Sequence, residues 1–418
     1  MLFGSSGIRR LYGTDLPNLA LDLGSVLGRP GARILVGRDT RTTGPILETL
    51  LSAGLLGNGV NVCLAGVVPT PVVAFGTRYF DAGVMITASH NPENYNGFKL
   101  LRPDGSSFTG SDQVRVRDAL GREPFQSWDR QGALSSYDAL SPYIQAVTNG
   151  RVPAEGVKMV LDCGNGAGSM VSPRILGMLG VRVSCVNTNP LGHFARPSEP
   201  LEEYLSHLPP LIRTTRSAGA IAHDGDADRL MAFDNRGRFI SGDQLMMLFI
   251  LYLGAKKVVT SFDASMAIEE VAEVRRTPVG DTFISDELTR WGDFGGEPSG
   301  AWIFPRHSLC PDGPYAAALF CEIASQGDIA EQIDTMPKYP VVRKSFPCEN
   351  ATEILSALGA ASPTDGLRVS ENEGWFLVRA SGTEPKIRIT AEGRDRLKAR
   401  EMFEKGVKAV KTEKGRQG

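Results

Sequence analysis

The chain has 418 residues, 42% hydrophobic and 22% charged, a composition that fills several cores and predicts a globular protein of about two to four domains. Forty-five basic residues nearly balance forty-seven acidic ones for a net charge of −2, which argues against a nucleic-acid partner and leaves anion affinity to local sites. The six cysteines (Cys63, Cys163, Cys185, Cys310, Cys321, Cys348) contain no Cys-x-x-Cys pair, which excludes zinc and disulfide frameworks and reads as buried thiols in a reducing cytoplasm.

The amino-terminal run lacks the basic and apolar regions of a signal peptide, and the longest apolar run, 245–253, is too short to span a bilayer. A cytoplasmic protein without a membrane partner is expected. Residues 33–41 (RILVGRDTR) read as a basic residue, a short β-rich run and a turn into a helix. The pattern restarts at 158–168 (KMVLDCGNGAG) and at 256–265 (KKVVTSFDAS). Strands alternating with helices predict an α/β fold of three similar units with mixed or parallel sheets. A linker-like stretch at 149–156, a helix over 244–253 closed by Gly254, and a proline-bounded seam at 337–340 divide the chain. Beyond that seam, strand-like 375–379 and 386–391 flank a polar turn, and a basic helix follows from about Asp395, which predicts a smaller α+β domain. The expected domains are 1–149, 150–253, 254–340 and 341–418.

Four loops carry chemistry. The apolar run 83–88 stops at Ser89-His90-Asn91-Pro92, so Ser89 is expected on an exposed strand-end loop. A serine hydroxyl needs a base or metal to act as a nucleophile, and once phosphorylated it needs cations around it. Alone, Ser89-His90 would be an ordinary turn; the other loops change that reading. Asp224-Gly225-Asp226-Ala227-Asp228-Arg229 lies between strand-like 218–222 and 230–233 and aims three carboxylates at one point, a hard-oxygen set suited to Mg²⁺. Arg229, where an EF-hand has glycine, is placed to bind phosphate beside the metal. Gly295-Gly296-Glu297-Pro298-Ser299-Gly300 suits bidentate hydrogen bonding to sugar hydroxyls. Residues 379–388, with Arg379, Ser381, Gly382, Thr383 and Arg388, suit phosphate capture by a backbone nest and a guanidinium fork. No Walker A pattern occurs, and 164–168 lacks the last glycine of a dinucleotide fingerprint, so it reads as a strand-to-helix turn.

In that order, the four loops resemble the α-D-phosphohexomutase family from end to end. Gly7-Ile8-Arg9, Gly37-Arg38-Asp39-Thr40-Arg41 and Asn96-Gly97-Phe98-Lys99 match it too. The resemblance implies four domains around a central cleft, the first three alike, and a phosphate carried on Ser89. It implies one Mg²⁺ held by Ser89, Asp224, Asp226 and Asp228, with hexose 1,6-bisphosphate as activator and intermediate. Arg9 and Lys99 match positions around proton transfer, and His90 is a second candidate. Glu297 and Ser299 would grip sugar hydroxyls, while Arg229, Arg379, Ser381, Gly382, Thr383 and Arg388 would hold phosphate. The partner is a hexose phosphate, and the chain is expected as a monomer or homodimer.

Ser381-Gly382-Thr383-Glu384-Pro385 and Val279-Gly280-Asp281 are similar to the phosphoglucosamine mutase branch. Pro298 and Ala301 match its archaeal variant, which implies glucosamine 6-phosphate and 1-phosphate as the substrate pair. The alternative within the family is a phosphomannomutase/phosphoglucomutase. Two readings from other classes are an aspartate-nucleophile sugar phosphatase, in which Ser89 is incidental, and a non-catalytic sugar-phosphate-binding regulator.

Overall fold

Each restart of the basic–apolar pattern becomes an interior strand of its own sheet in the computed structural model, which describes residues 2–4, 7–121, 125–360, 366–380 and 386–417. The first sheet runs, in spatial order, Ile8–Leu11, Tyr95–Leu101, Ala82–Ile86, Arg33–Arg38, Asn61–Val67, Leu134–Ser136. Arg33–Arg38 lies parallel to both neighbours, and its Ile34, Leu35 and Val36 are fully buried. Burial on both faces is why this strand reads as an unbroken apolar run and not as an alternation.

The second sheet has the order Phe239–Ile240, Leu230–Asp234, Gly219–His223, Lys158–Asp162, Arg182–Val186. The third has Glu273–Thr277, Lys257–Ser261, Phe294–Gly296, Trp302–Phe304, Ser308–Pro311. All three sheets mix parallel and antiparallel pairs, and one apolar cluster runs through the three units. The last sheet is smaller and wholly antiparallel, in the order Val341–Pro347, Lys386–Gly393, Gly374–Ala380, Leu367–Glu371. Helices Ala351–Ala357 and Arg396–Gln417 pack on it around a separate core that includes Ile354, Phe376, Ile389 and Met402.

The three α/β units share one local device. A strand pairs in parallel with the restart strand and then turns back into an antiparallel neighbour. The hairpins are Ala82–Ile86 with Tyr95–Leu101, Gly219–His223 with Leu230–Asp234, and Phe294–Gly296 with Trp302–Phe304. Their connecting segments hold Ser89, the three aspartates, and Glu297 with Ser299 respectively. The hairpin of the last unit brackets 381–385, so Ser381, Gly382 and Thr383 lie outside the described residues.

The cysteine expectation is corrected at one position. Five thiols are buried, but Cys185 is exposed because Arg182–Val186 is an edge strand with its outer residues in solvent. Among the described residues, no helix is long and apolar enough to cross a membrane.

Candidate active site

Strand Ala82–Ile86 gives way to Thr87 and Ala88, and Ser89 then adopts φ +50°, a left-handed backbone that few non-glycine residues hold without support. The support is explicit. The Ser89 N–H donates to Thr87 Oγ1 at 2.8 Å, and its carbonyl accepts from Arg41 Nη2 at 2.8 Å and Ser198 Oγ at 3.1 Å. Arg41, fully buried, also donates to the carbonyls of Asn91, Pro92 and Tyr95, while its Nε reaches Asp39 Oδ2 at 3.0 Å. The expected exposed loop is therefore corrected. Ser89 does end a strand, but it is 1% exposed because the aspartate loop and Ser198 of the second unit cover it.

Ser89 Oγ donates to Asp224 Oδ2 at 2.9 Å. Asp224, Asp226 and Asp228 are all buried and each offers an oxygen within 4.8 Å of the others. Lys99, on the strand after the serine loop, bonds Asp226 Oδ2 at 2.7 Å and Asp228 Oδ2. Thr70 adds its hydroxyl to Asp226 Oδ2 at 2.5 Å and its N–H to the Asp226 carbonyl at 2.9 Å. Burial and the neighbouring carboxylates push the Asp224 and Asp228 carboxyls up. Burial opposes ionisation of Asp226 as well, but Lys99 and Thr70 outweigh it and hold that carboxyl below its usual range. Burial likewise opposes the Lys99 charge, yet Asp226 and Asp228 keep the ammonium well above its ordinary pKa. Repulsion among the aspartates is thus partly relieved by Lys99. A divalent cation still fits: Asp226 Oδ1 and Asp228 Oδ1 are buried without a hydrogen-bond partner, and carboxylate oxygens suit Mg²⁺.

Arg9 leans over the serine loop, with Nη1 3.4 Å from His90 Nδ1 and 3.3 Å from Asn91 Oδ1. Burial lowers the His90 pKa, and the cations Arg229, Arg9 and Lys99 reinforce that, so its imidazole is neutral. Burial also lowers the Arg9 pKa against the pull of Asp226. Arg229 donates its N–H to Asp224 Oδ1 at 3.2 Å and its Nη1 to Glu199 Oε1 at 2.9 Å. The next hairpin joins here through the Arg229–Ala301 bridge and the Leu230 N–H to Gly300 carbonyl bond. Glu297 accepts from the Gly280 N–H at 2.7 Å, and its carboxyl is pushed up to about 7 by burial, Asp281 and Asp263. The Ser299 hydroxyl is buried without a partner. In the last unit Arg379 pairs across the strands with Arg388, and burial lowers the Arg379 pKa against the pull of Asp263.

Four consecutive matches cover nearly the whole chain. Residues 1–127, 141–237 and 241–339 match phosphoglucomutase/phosphomannomutase alpha/beta/alpha domains I, II and III, and 340–409 match its C-terminal domain. The chain belongs to this phosphohexomutase family. This mutase is 42% identical to a "Probable phosphoglucosamine mutase" of Methanosarcina acetivorans, over 98% of this chain and 99% of that one. A protein of the same name from Thermococcus kodakarensis is 38% identical over 98% of each. Among solved structures, a phosphoglucomutase/phosphomannomutase family protein from Burkholderia thailandensis superposes with a TM-score of 0.87 at 25% identity, covering 99% of this chain and 97% of that one. The fold is also that of Aspergillus fumigatus N-acetylphosphoglucosamine mutase, solved with GlcNAc-6P and magnesium, with a TM-score of 0.61 at 16% identity over 99% and 96% of the two chains. The mutase is a hexose-phosphate isomerase of this family.

In the mutase, Ser89, His90, Arg9, Lys99, the three aspartates and Arg229 form one cluster, and Glu297 with Ser299 adjoin it on the neighbouring hairpin. Arg379 and Arg388 sit on the separate sheet of the last unit, and Ser381, Gly382 and Thr383 lie outside the described residues. Sequence reasoning missed Arg41, Thr70, Arg196, Ser198 and Glu199 as parts of the site. Arg41 was visible as the end of the Gly37–Arg41 motif; nothing local marks Arg196 or Ser198.

Proposed function

We propose that this mutase interconverts glucosamine 6-phosphate and glucosamine 1-phosphate through a phosphate carried on Ser89. The observation that carries the reading is the Ser89 hydroxyl, 2.9 Å from Asp224 inside a buried aspartate cluster and flanked by Lys99 and Arg9. The Ser89 O–P bond breaks as the phosphoryl group passes to the free hydroxyl of the sugar monophosphate. The bisphosphate so formed turns over in the cleft, and its other phosphate returns to Ser89. Asp224, Asp226 and Asp228 would hold Mg²⁺ beside Ser89, and that charge would offset the negative phosphoryl oxygens during transfer. Lys99 supplies fixed positive charge at the same place, while Arg9, whose pKa burial lowers, and neutral His90 are the two candidates to take the proton of the attacking sugar hydroxyl as the Ser89 oxygen regains one. Glu297 and Ser299 hold sugar hydroxyls. Arg229 meets the reacting phosphate, and Arg379 and Arg388, with Ser381, Gly382 and Thr383, hold the other one.

The amino sugar is supported by the names of the archaeal relatives and by electrostatics on the third hairpin. Burial is the largest cause of the raised Glu297 carboxyl, and Asp281 and Asp263 add a like-charge repulsion that an ammonium-bearing sugar would relieve. Intact-mass spectrometry after incubation with hexose 1,6-bisphosphate should show one phosphate that is absent in Ser89→Ala. Release of inorganic phosphate from hexose phosphate, undiminished in Ser89→Ala, would count against the carrier role. Comparison of kcat/KM for glucosamine, glucose and mannose 1-phosphates should rank glucosamine first. A higher value for glucose or mannose would replace the sugar assignment and leave Ser89 in place.

A further inference from the structure

We propose that Ser198 is a positioning residue that ties the Ser89 backbone to the metal loop in both the phosphorylated and the free enzyme; the inference rests on Ser89 being the phosphate carrier. The Ser198 hydroxyl accepts from the Gly225 N–H at 2.9 Å and donates to the Ser89 carbonyl at 3.1 Å. One buried side chain thus joins the nucleophile of the first unit to the first turn of the aspartate loop in the second.

Its placement is rigid. Arg196 donates to the Pro197 and Ser198 carbonyls at 3.1 and 3.3 Å and to the His223 carbonyl at 2.7 Å, while its Nε reaches Asp162 Oδ2 at 2.9 Å. Asp162 is itself held by the Gly164 N–H, Asn187 and His207. The guanidinium therefore fixes the backbone of Ser198 and the strand end that launches Asp224 in one arrangement.

Among the described residues, two side-chain hydrogen bonds join Ser89 to the second unit: Oγ to Asp224, and the carbonyl to Ser198. Phosphorylation replaces the hydroxyl hydrogen with a phosphoryl group, so Ser89 Oγ then has no proton to donate to Asp224. The Ser198 bridge uses a carbonyl and an amide, neither of which changes when phosphate arrives or leaves. Ser89 also holds a left-handed φ of +50°, and a carbonyl anchored from both sides keeps that strained geometry in place. Losing the hydroxyl leaves the buried Gly225 N–H without its acceptor, and the loop relaxes away from the serine.

The test compares wild type, Ser198→Ala and Ser198→Thr for kcat, KM, the Mg²⁺ concentration giving half-maximal rate, and single-turnover phosphorylation of Ser89 by hexose 1,6-bisphosphate. Ser198→Ala should lower kcat and the phosphorylation rate by about tenfold each and raise the half-saturating Mg²⁺ severalfold, with KM within about twofold. Ser198→Thr, which keeps the hydroxyl, should recover most of both rates. A Ser198→Ala enzyme within about twofold of wild type in both rates would overturn the proposal. So would a lowered melting temperature with unchanged Mg²⁺ dependence, or a threonine variant as impaired as the alanine one. A wild-type enzyme that turns over without phosphate on Ser89 overturns the carrier reading itself, and is recognised before any variant is compared.

Discussion

All five N–H groups of the Arg41 guanidinium have partners: the carbonyls of Ser89, Asn91, Pro92 and Tyr95, and the Asp39 carboxylate. Lysine offers a point charge without that fork, so Arg41→Lys should keep the charge beside Asp39 but lose the shape of the serine loop. Arg41→Ala should destabilise the protein by about 3–5 kcal/mol, read by urea unfolding, because Asp39 stays buried and unpaired. Arg41→Lys should fold better than that and still lose about tenfold in kcat. Glu297 gives a pH signature. Its carboxyl rises from an ordinary value near 4.5 to about 7, so the folded protein binds that proton more tightly than the unfolded chain. The stability it contributes is full below about 4.5 and is lost as pH rises through 7. If ionised Glu297 holds the sugar, kcat/KM rises through that same interval, and Glu297→Gln abolishes the limb. The residue types at these points were legible, since carboxylates, serine and glycine in tight loops carry recognisable chemistry. The four carbonyl partners of Arg41 were not, because they lie 48 to 54 residues away and meet it only in the folded protein.

At the level of elements, the apolar runs of the three restarts became interior strands, and the polar turns between hairpin strands carry the candidate site residues. What reading along the chain did not reveal is that the three turns are structurally equivalent. The stretch between Arg182–Val186 and the short turn Glu202–Tyr204 has no regular element and no periodicity, yet it supplies Arg196, Ser198 and Glu199. Its role is set by long-range bonds, to which local patterns are blind. Gly225 shows how tightly these pieces meet. A Cβ there would come within 2.8 Å of the Phe194 ring and 2.9 Å of both Ser198 Oγ and the Ser89 carbonyl. Gly225→Ala should therefore push the serine and aspartate loops apart and lower kcat by about tenfold to a hundredfold, with far-UV circular dichroism unchanged. Equal activity in that variant would show that the loops tolerate more separation than the packing implies.

For the whole molecule, three units share a continuous core, while the last has its own and meets the third at a small polar seam. Glu392 is central to that seam. It is buried and accepts from Ser265 Oγ at 2.6 Å, the Met266 N–H at 2.7 Å and Trp375 Nε1 at 2.6 Å. It also pairs with Val341, beside the connection between the units, while Arg388 stands nearer the opposite end of the same strand. Glu392→Ala should loosen the seam, increase the radius of gyration by solution scattering and raise KM, leaving the proposed phosphate transfer at Ser89 intact. An unchanged scattering profile and KM would argue that the seam is held elsewhere. The repeated hairpins have a wider consequence. In the proposed mechanism, nucleophile, metal grip and sugar grip each sit in the turn of a hairpin of the same topology, so they can be edited one at a time. If the short turn at 297–301 grips the sugar as proposed, sugar preference can drift there while the proposed transfer residues on the other hairpins stay untouched. Such separability makes this architecture a natural starting point for retargeting a single reaction to new sugars.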